Sequence, residues 1–523
     1  MISCLALERP GKWRALSVTL LLLVAALPAA PLLWRALRSM DSLTASGGAV
    51  VGSAFVSALR NSVVVALLVA VVSLAVGLPV GVLTALYEFR GRRGLLALAA
   101  LPLLVPSFLW AIGWSSLAAR CGPVAAHLLS GFAGCILVFS AGAVALVLLV
   151  SAAATAALSG SQVDAARLAG GERTVLVQAS RHVATPALLA AGLGGVLTLS
   201  DPGPGQIFAL RTAAAEILTS FSARYDFSLA GQQCAVLTGL VLLIAVPLAC
   251  FAAPRLASEM MARQSQAMRR VRHRGIAGAT VAVLTLLVLT GTVTPIAGLT
   301  LPLIVTPSGV AWQRLKSLLQ TFADTLLYAV GAGAIAAALS LLLALCVGRH
   351  DRLRRVCLGM CLALFCLPPA LTALGFVHLA TEAPAWADFL LRSRLTVCVA
   401  LGLRFLPVAA VLGLHAWGST SASWTLAAAL HGVSVWTYLW RVVFPLLLPA
   451  EAVAMLLVAL LATADVSTVL LLHPPGARSL PLAIFTVMAN APESLVATSC
   501  LVYVAVASGL LIALWTMAAR GKA

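Results

Sequence analysis

Long apolar runs, separated by short polar ones, constrain this chain more than any other feature. A transmembrane helix needs about 20 mostly apolar residues. Twelve segments qualify, at roughly 15–34, 62–86, 95–115, 132–156, 184–200, 231–253, 276–304, 325–348, 356–379, 395–418, 447–464 and 495–517. The fifth and eleventh are the shortest of them. With 62% hydrophobic and 10% charged residues in 523 positions, a water-soluble fold could not hide the apolar surface. Mean hydropathy of +1.06 says the same. Backbone polar groups facing lipid must be satisfied within their own segment, which a helix does. The expectation is an all-α membrane protein with about 12 transmembrane helices. Arg9, Lys12 and Arg14 before the first run resemble the start of a signal peptide. An uncleaved span is expected instead, because the run continues to about Trp34.

The net charge of +18 follows from topology. With the N-terminus placed in the cytoplasm, the cytoplasmic segments hold 22 Lys and Arg and the outer segments 11. This bias puts both termini inside. It accounts for the basic balance with no nucleic-acid partner. The basic stretch 255–275 reads as a cytoplasmic linker between a first membrane domain, 1–254, and a second, 276–523. Contact of that stretch with membrane lipid or a regulator is the alternative.

The two domains match along their length. Arg60-Asn-Ser-Val-Val-Val-Ala-Leu-Leu opens span two, and Ala323-Asp-Thr-Leu-Leu-Tyr-Ala-Val opens span eight. Both spans end in basic loops, Arg90-Gly-Arg-Arg93 and Arg349-His-Asp-Arg-Leu-Arg-Arg355. Leu101-Pro102 is matched with Leu367-Pro368. Asp164-Ala-Ala-Arg-Leu-Ala-Gly170 recurs as Leu426-Ala-Ala-Ala-Leu-His-Gly432. The offsets are 263 (Asn61 to Asp324), 262 (Gly170 to Gly432) and 264 (Asp201 to Asp465). So constant an offset marks an internal repeat. Six spans per repeat, an even number, give both repeats one orientation and put a pathway between them.

The segments ending at Gly170 and Gly432 carry the functional reading. Ala pairs let another surface approach the backbone closely. The glycine that follows after three further residues can take a left-handed conformation and end the helix. A second helix then returns to the membrane, with Pro445 at re-entry. This pattern resembles the EAA loop of ABC-importer permeases: Glu-Ala-Ala, three residues, Gly, nine residues, Ile, one residue, Leu-Pro. The second copy keeps the spacing through Val442-Val-Phe-Pro445 but has Leu426 for the Glu. The first keeps an acidic start at Asp164 but loses the Leu-Pro position. The chain is most similar to the fused permeases of the iron(III) and thiamine importers. Leu403-Arg-Phe-Leu-Pro407 and Leu470-Leu-Leu-His-Pro-Pro-Gly476 add to that likeness.

The resemblance implies a type I ABC importer permease, two tandem six-helix repeats fused in one chain, in a bacterial inner membrane. Iron(III) is the expected substrate, with thiamine, a phosphonate or another small solute as alternatives. It implies two copies of a cytoplasmic ABC ATPase and a periplasmic or extracellular substrate-binding protein as partners. Asp164, Ala165, Ala166, Gly170, Ala427, Ala428, Gly432 and Pro445 would then couple the channel to the ATPases. The sequence holds no Gly-x-x-x-x-Gly-Lys-Ser/Thr loop, so ATP would be bound and hydrolysed by the partners and this chain would carry no cofactor.

Arg404 is the one basic residue deep in an expected span, where a charge is costly and faces protein or water. It is a candidate for the pathway, or pairs with a carbonyl or carboxylate. Asp201 and Asp465 end matching spans. They are pathway or gate candidates, although a helix or turn cap is the favoured role. Tyr225-Asp226-Phe227 and Arg478 are candidate outer contacts. Eleven cysteines lie mostly within apolar runs, and Cys357, Cys361 and Cys366 lack a His or carboxylate at ligand spacing. His182, His378, His415 and His473 form no ligand cluster, so no metal site is expected. The rival readings are a secondary transporter driven by an ion gradient, which needs protonatable residues at midplane, and a membrane scaffold or embedded enzyme, for which no convergent catalytic set exists.

Overall fold

The computed structural model describes residues 18–19, 52–261, 270–305, 310–384, 389–477, 479–488 and 490–520. The first expected span and Arg478 therefore lie almost wholly outside the described residues. Among the described residues there is no strand, only an isolated bridge between Tyr87 and Val271. Among the described residues nine helices are long and apolar enough to cross a membrane, or up to eleven if two bent pairs count as spans. The chain is thus a multi-pass, all-α membrane protein.

The helices that matter to the argument are, in order, α1 (Ser53–Leu86), α2 (Arg92–Leu104), α3 (Ser107–Cys121), α4 (Phe132–Ala156), α5 (Gly160–Leu199) and α6 (Phe227–Met261), with shorter helices between some of them. Then come α7 (Arg274–Ile304, with a π-helical turn at Leu289–Val293), α8 (Val310–Val347), α9 (Asp351–Cys366) and α10 (Pro369–Glu382). The chain ends in α11 (Arg394–Ser419), α12 (Ala422–Leu430), α13 (Val435–Ala464) and α14 (Glu493–Arg520). Of these, α11 is the most enclosed, with 72% of its apolar window buried, so it forms the centre of the later helices.

The third and ninth expected spans are not straight. Helices α2 and α3 meet at 101°, and α9 and α10 at 86°. Val105-Pro106 and Leu367-Pro368 make the two breaks. Val105 (φ −106°, ψ 140°) and Leu367 (φ −59°, ψ 140°) leave the helical region, as residues preceding proline do. Pairing Leu101-Pro102 with Leu367-Pro368 is therefore corrected. Pro102 lies inside α2, and Pro106 is the partner of Pro368, at the same offset of 262 as Gly170 to Gly432. The apolar hydropathy of both segments conceals the bend, because a broken helix is as apolar as a straight one.

The first and second halves of the sequence interlock. Helix α7 crosses α3 so closely that a Cβ on Gly298 would overlap the Gly113 carbonyl oxygen, and one on Gly113 the Pro295 carbonyl. Thr292 Oγ1 adds a hydrogen bond to the Leu98 carbonyl of α2 at 3.0 Å. In return α6 packs Ala253, Ala257 and Met260 against Cys357, Leu358 and Cys361 of α9. Glycine permits such a crossing because lipid offers no hydrophobic drive and packing must supply it. Gly298→Leu is expected to lower stability in detergent by about 1–3 kcal/mol through overpacking, read as a lower thermal midpoint. An unchanged midpoint would mean that this crossing does not hold the chain together.

The linker reading of 255–275 is modified at both ends. Residues 255–261 continue α6 as helix, and 262–269 lie outside the described residues. Val271 is clipped to the end of α1, its N–H donating to the Leu86 carbonyl (3.2 Å) and its carbonyl accepting from Glu88 N–H (3.1 Å).

Candidate functional site

Two places gather the residues that the sequence singled out. The first is a cavity of about 250 Å³ where the two helix breaks meet. Arg404, Asp201 and Asp465 all line it, although they lie far apart in sequence. Each acid is tied to a helix break. Asp201 follows α5 and accepts from Ser107 Oγ (2.6 Å), the first residue of α3, and from Gly203 N–H (2.9 Å). Asp465 follows α13 and accepts from the Thr468 N–H (2.9 Å) and hydroxyl (2.8 Å). Asp465 also holds Arg404, with Nε 2.6 Å from Oδ2. That contact is an ion pair, since the Nε–H does not align as a hydrogen bond. Arg404 Nη1 in turn donates to the Leu367 carbonyl (3.2 Å), which the break has freed from helical bonding. The capping role expected for both acids and the pairing of Arg404 thus occur in one structure, at the wall of one cavity.

Helix geometry places this cavity. Helix α2 has 13 residues and starts at the Arg90–Arg93 loop, so its break lies about 20 Å from that loop.

The second place is the pair of segments beside the basic loops. Arg349 donates to the Thr420 carbonyl and hydroxyl, both at 2.7 Å, and so fixes the start of the second segment. Helix α12 ends in a Schellman turn. Gly432 N–H donates to Ala429 O (3.2 Å) and Val433 N–H to Ala428 O (2.9 Å), with Gly432 at φ +65°. Ala427, Ala428 and Pro445 then line one groove together with Trp424, Tyr438 and Arg441. In the first segment Arg167 bonds Glu172 (2.7 Å) and reaches Asp164 (3.4 Å), while Tyr87 donates to Glu172 (2.5 Å). Ala165 is exposed and Ala166 buried. The expected turn glycine is displaced by one position. Gly170 is at φ −164°, and Gly171 carries the positive φ of +67°. A side chain at Gly170 would instead strike the Thr174 hydroxyl.

Hydropathy concealed three residues. Leu168 and Leu430, at equivalent positions of the two segments, are 90% and 79% exposed. Leucine in an apolar-rich chain reads as core, so composition gave no sign of them. Glu451, inside the apolar run of α13, is buried against α8 and α11. Its Oε1 lies 3.2 Å from Ser340 Oγ, and its Oε2 has no partner. The Ser340 hydroxyl also bonds the Ala409 carbonyl at 2.9 Å. One hydroxyl has one hydrogen, so both bonds form together only if Glu451 is a neutral acid that donates to Ser340.

The remaining candidates stay apart. Tyr225, Asp226 and Phe227 are exposed, and Asp226 caps α6 through Leu229 N–H (2.9 Å). Cys357, Cys361 and Cys366 are buried. Among the described residues no three His, Cys, Asp or Glu side chains converge to hold a metal. Comparison with protein-family models, curated proteins and solved structures finds no match to this chain. The class that fold and cavity define is a multi-pass membrane protein of transporter-like construction.

Proposed function

We propose that this chain is the membrane-spanning permease of an ABC importer in a bacterial inner membrane, formed of two tandem six-helix repeats, with both termini in the cytoplasm. Solute passes through the cavity around Arg404, and separate ATPase subunits drive the change of access. The order of elements supports the repeat: a long helix, a proline-broken pair, a second long helix, a turn segment and a return helix occur twice. One observation carries the reading. Each turn segment presents an exposed leucine, Leu168 three residues before Gly171 and Leu430 two before Gly432, beside a basic loop, as a surface awaiting a cytoplasmic partner. Two ATPase copies take these surfaces, an outer binding protein delivers the solute, and iron(III) is the first substrate to test, ahead of thiamine and phosphonates.

The test is purification of the tagged chain from its native membrane in mild detergent, with mass spectrometry of what accompanies it. An ATPase subunit is expected in wild type. It is expected to be lost from a Gly171→Asp, Gly432→Asp double variant that still inserts, because a side chain at positive φ costs roughly 1–2 kcal/mol and distorts each turn. An ATPase retained by that variant, or none in wild type under conditions that preserve a control complex, removes the coupling assignment.

Glu451 favours a second reading, a transporter driven by a proton gradient, because it supplies a protonatable group inside the membrane. Glu451→Gln mimics the neutral acid and separates the two. Uptake driven by ATP is expected to be unchanged in this variant. Uptake driven by protons would be abolished, as uptake assays with and without a proton ionophore would show.

A further inference from the structure

Positive charge gathers in another pocket, where the end of α1 turns into α2. This pocket measures about 310 Å³, and Arg92, Arg93, Arg270 and Glu88 line it together with Phe89 and two glycines. Gly91 turns the chain at φ +78°, and α2 starts at Arg92. Arg92 is half-buried there, its Nε–H donating to the Thr84 carbonyl at 2.6 Å. Arg270 comes from the basic stretch 255–275, far along the sequence. The bonds of its neighbour Val271 to Leu86 and Glu88 hold it at the end of α1.

Three guanidiniums and one carboxylate share this wall, which leaves two positive charges in excess. The charges of Arg93 and Arg270 act on Arg92 and repel it. Glu88 offsets them in part, but its ion pair, at 3.8 Å, is with Arg272, outside the wall. Arg93 and Arg270 form no ion pair among the described residues. Membrane orientation requires basic residues in number and in any arrangement. It does not require guanidiniums from two distant segments to converge on one pocket, where their repulsion opposes folding. An anion between them reverses the sign of that term. The wall also leads on to apolar surface. Leu98 follows Gly94 by one turn on the same face of α2, about 5.4 Å along the axis, and is 45% exposed. A cationic pocket next to an exposed leucine suits a molecule with an anionic head and an apolar tail.

We propose that this pocket holds the headgroup phosphate of one anionic phospholipid, which fastens the basic stretch 255–275 to the end of α1. The phosphate oxygens bridge Arg92 and Arg93 on one side to Arg270 on the other, and an acyl chain lies along α2 over Leu98. Guanidinium suits this role because its planar fork matches phosphate oxygens two at a time. The Val271 clip to α1 consists of two backbone hydrogen bonds. A phosphate bound across the pocket adds charge-assisted bonds beside it and turns the repulsion among the three arginines into attraction. The lipid is thus a structural part of the chain's assembly and not a transported solute, and the proposal does not depend on the importer reading.

The experiment is native mass spectrometry of the purified full chain in detergent, titrated with phosphatidylglycerol or with zwitterionic phosphatidylcholine, alongside thermal midpoints in each lipid. Wild type is expected to retain one phosphatidylglycerol in preference to phosphatidylcholine. Its midpoint should rise with phosphatidylglycerol, since a ligand of the folded state stabilises it. An Arg93→Gln, Arg270→Gln variant changes two exposed side chains and leaves the Arg92 bond to Thr84 in place. It should bind phosphatidylglycerol about 25-fold more weakly, roughly fivefold for each charge removed, and lose the rise in midpoint. Arg352→Gln with Arg355→Gln removes two exposed guanidiniums from the other basic loop and should bind as wild type does. Equal loss in both double variants overturns the proposal, because net charge and not the pocket would then select the lipid. Soluble glycerol phosphate that raises the wild-type midpoint as much as phosphatidylglycerol also overturns it, since the site would then take free phosphate. Neither failure touches the ATPase copurification, so the importer reading stands or falls separately.

Discussion

Arg404→Ala is expected to be among the most damaging single substitutions in the chain. The change removes the partner of Asp465, whose side chain is 4% exposed, and leaves that carboxylate buried without a countercharge. Breaking a buried pair from one side costs about 3–5 kcal/mol, most of it the penalty on the surviving charge. It also releases the Leu367 carbonyl at the α9–α10 break, which already lacks a helical partner. The damage should therefore appear twice, as a lower thermal midpoint in detergent and as loss of uptake. An Arg404→Ala, Asp465→Ala double variant is expected to be more stable than Arg404→Ala alone, because no unpaired charge remains. Arg404→Lys should rescue little, since an ammonium group cannot meet Asp465 and Leu367 in the same planar fork. A single variant as stable as wild type would show that water reaches the pair and that the cavity is no closed polar site.

The membrane class was legible because it depends on a sum. Apolar length fixes the helices whatever they pack against, and charge bias is likewise additive. What the sequence concealed depends on contacts between distant positions. Arg404 and Asp465 are 61 residues apart, and nothing local to either names the other. The breaks at Pro106 and Pro368 were hidden for a different reason. Each sits in an uninterrupted apolar run, and Pro102, only four residues before Pro106, stays helical within α2. Proline alone does not decide between a tolerated site and a break; the packing of the turn does. Glu451 escaped notice because one carboxyl hardly alters the mean of a run as apolar as α13. The displaced glycine of the first segment was a matter of register: Gly170 and Gly171 are neighbours, and only backbone angles tell which one turns the chain.

The second large effect is expected at the two tip leucines. Leu168 and Leu430 are 90% and 79% exposed, while the alanines behind them are partly covered. A fully exposed leucine gains about 1.5–3 kcal/mol when a partner buries it. Leu168→Glu and Leu430→Glu should each forfeit that gain, roughly 10- to 150-fold in affinity for the partner, and together they should abolish copurification of the ATPase. Asp164→Ala offers the contrast. Its contact with Arg167 is 3.4 Å long and solvent-exposed, and such pairs contribute about 0–1 kcal/mol. The two segments differ in what surrounds the tips. The first carries the Asp164–Arg167–Glu172–Tyr87 network, whereas exposed Trp424, Leu426, Trp436 and Trp440 flank the second. Charged contacts weaken with salt and apolar ones do not. In high salt, residual ATPase binding by Leu168→Glu, which leaves the second segment intact, should therefore exceed that of Leu430→Glu. Equal salt sensitivity of the two variants, measured by pull-down across a salt series, would show that the partner grips both segments through the same chemistry.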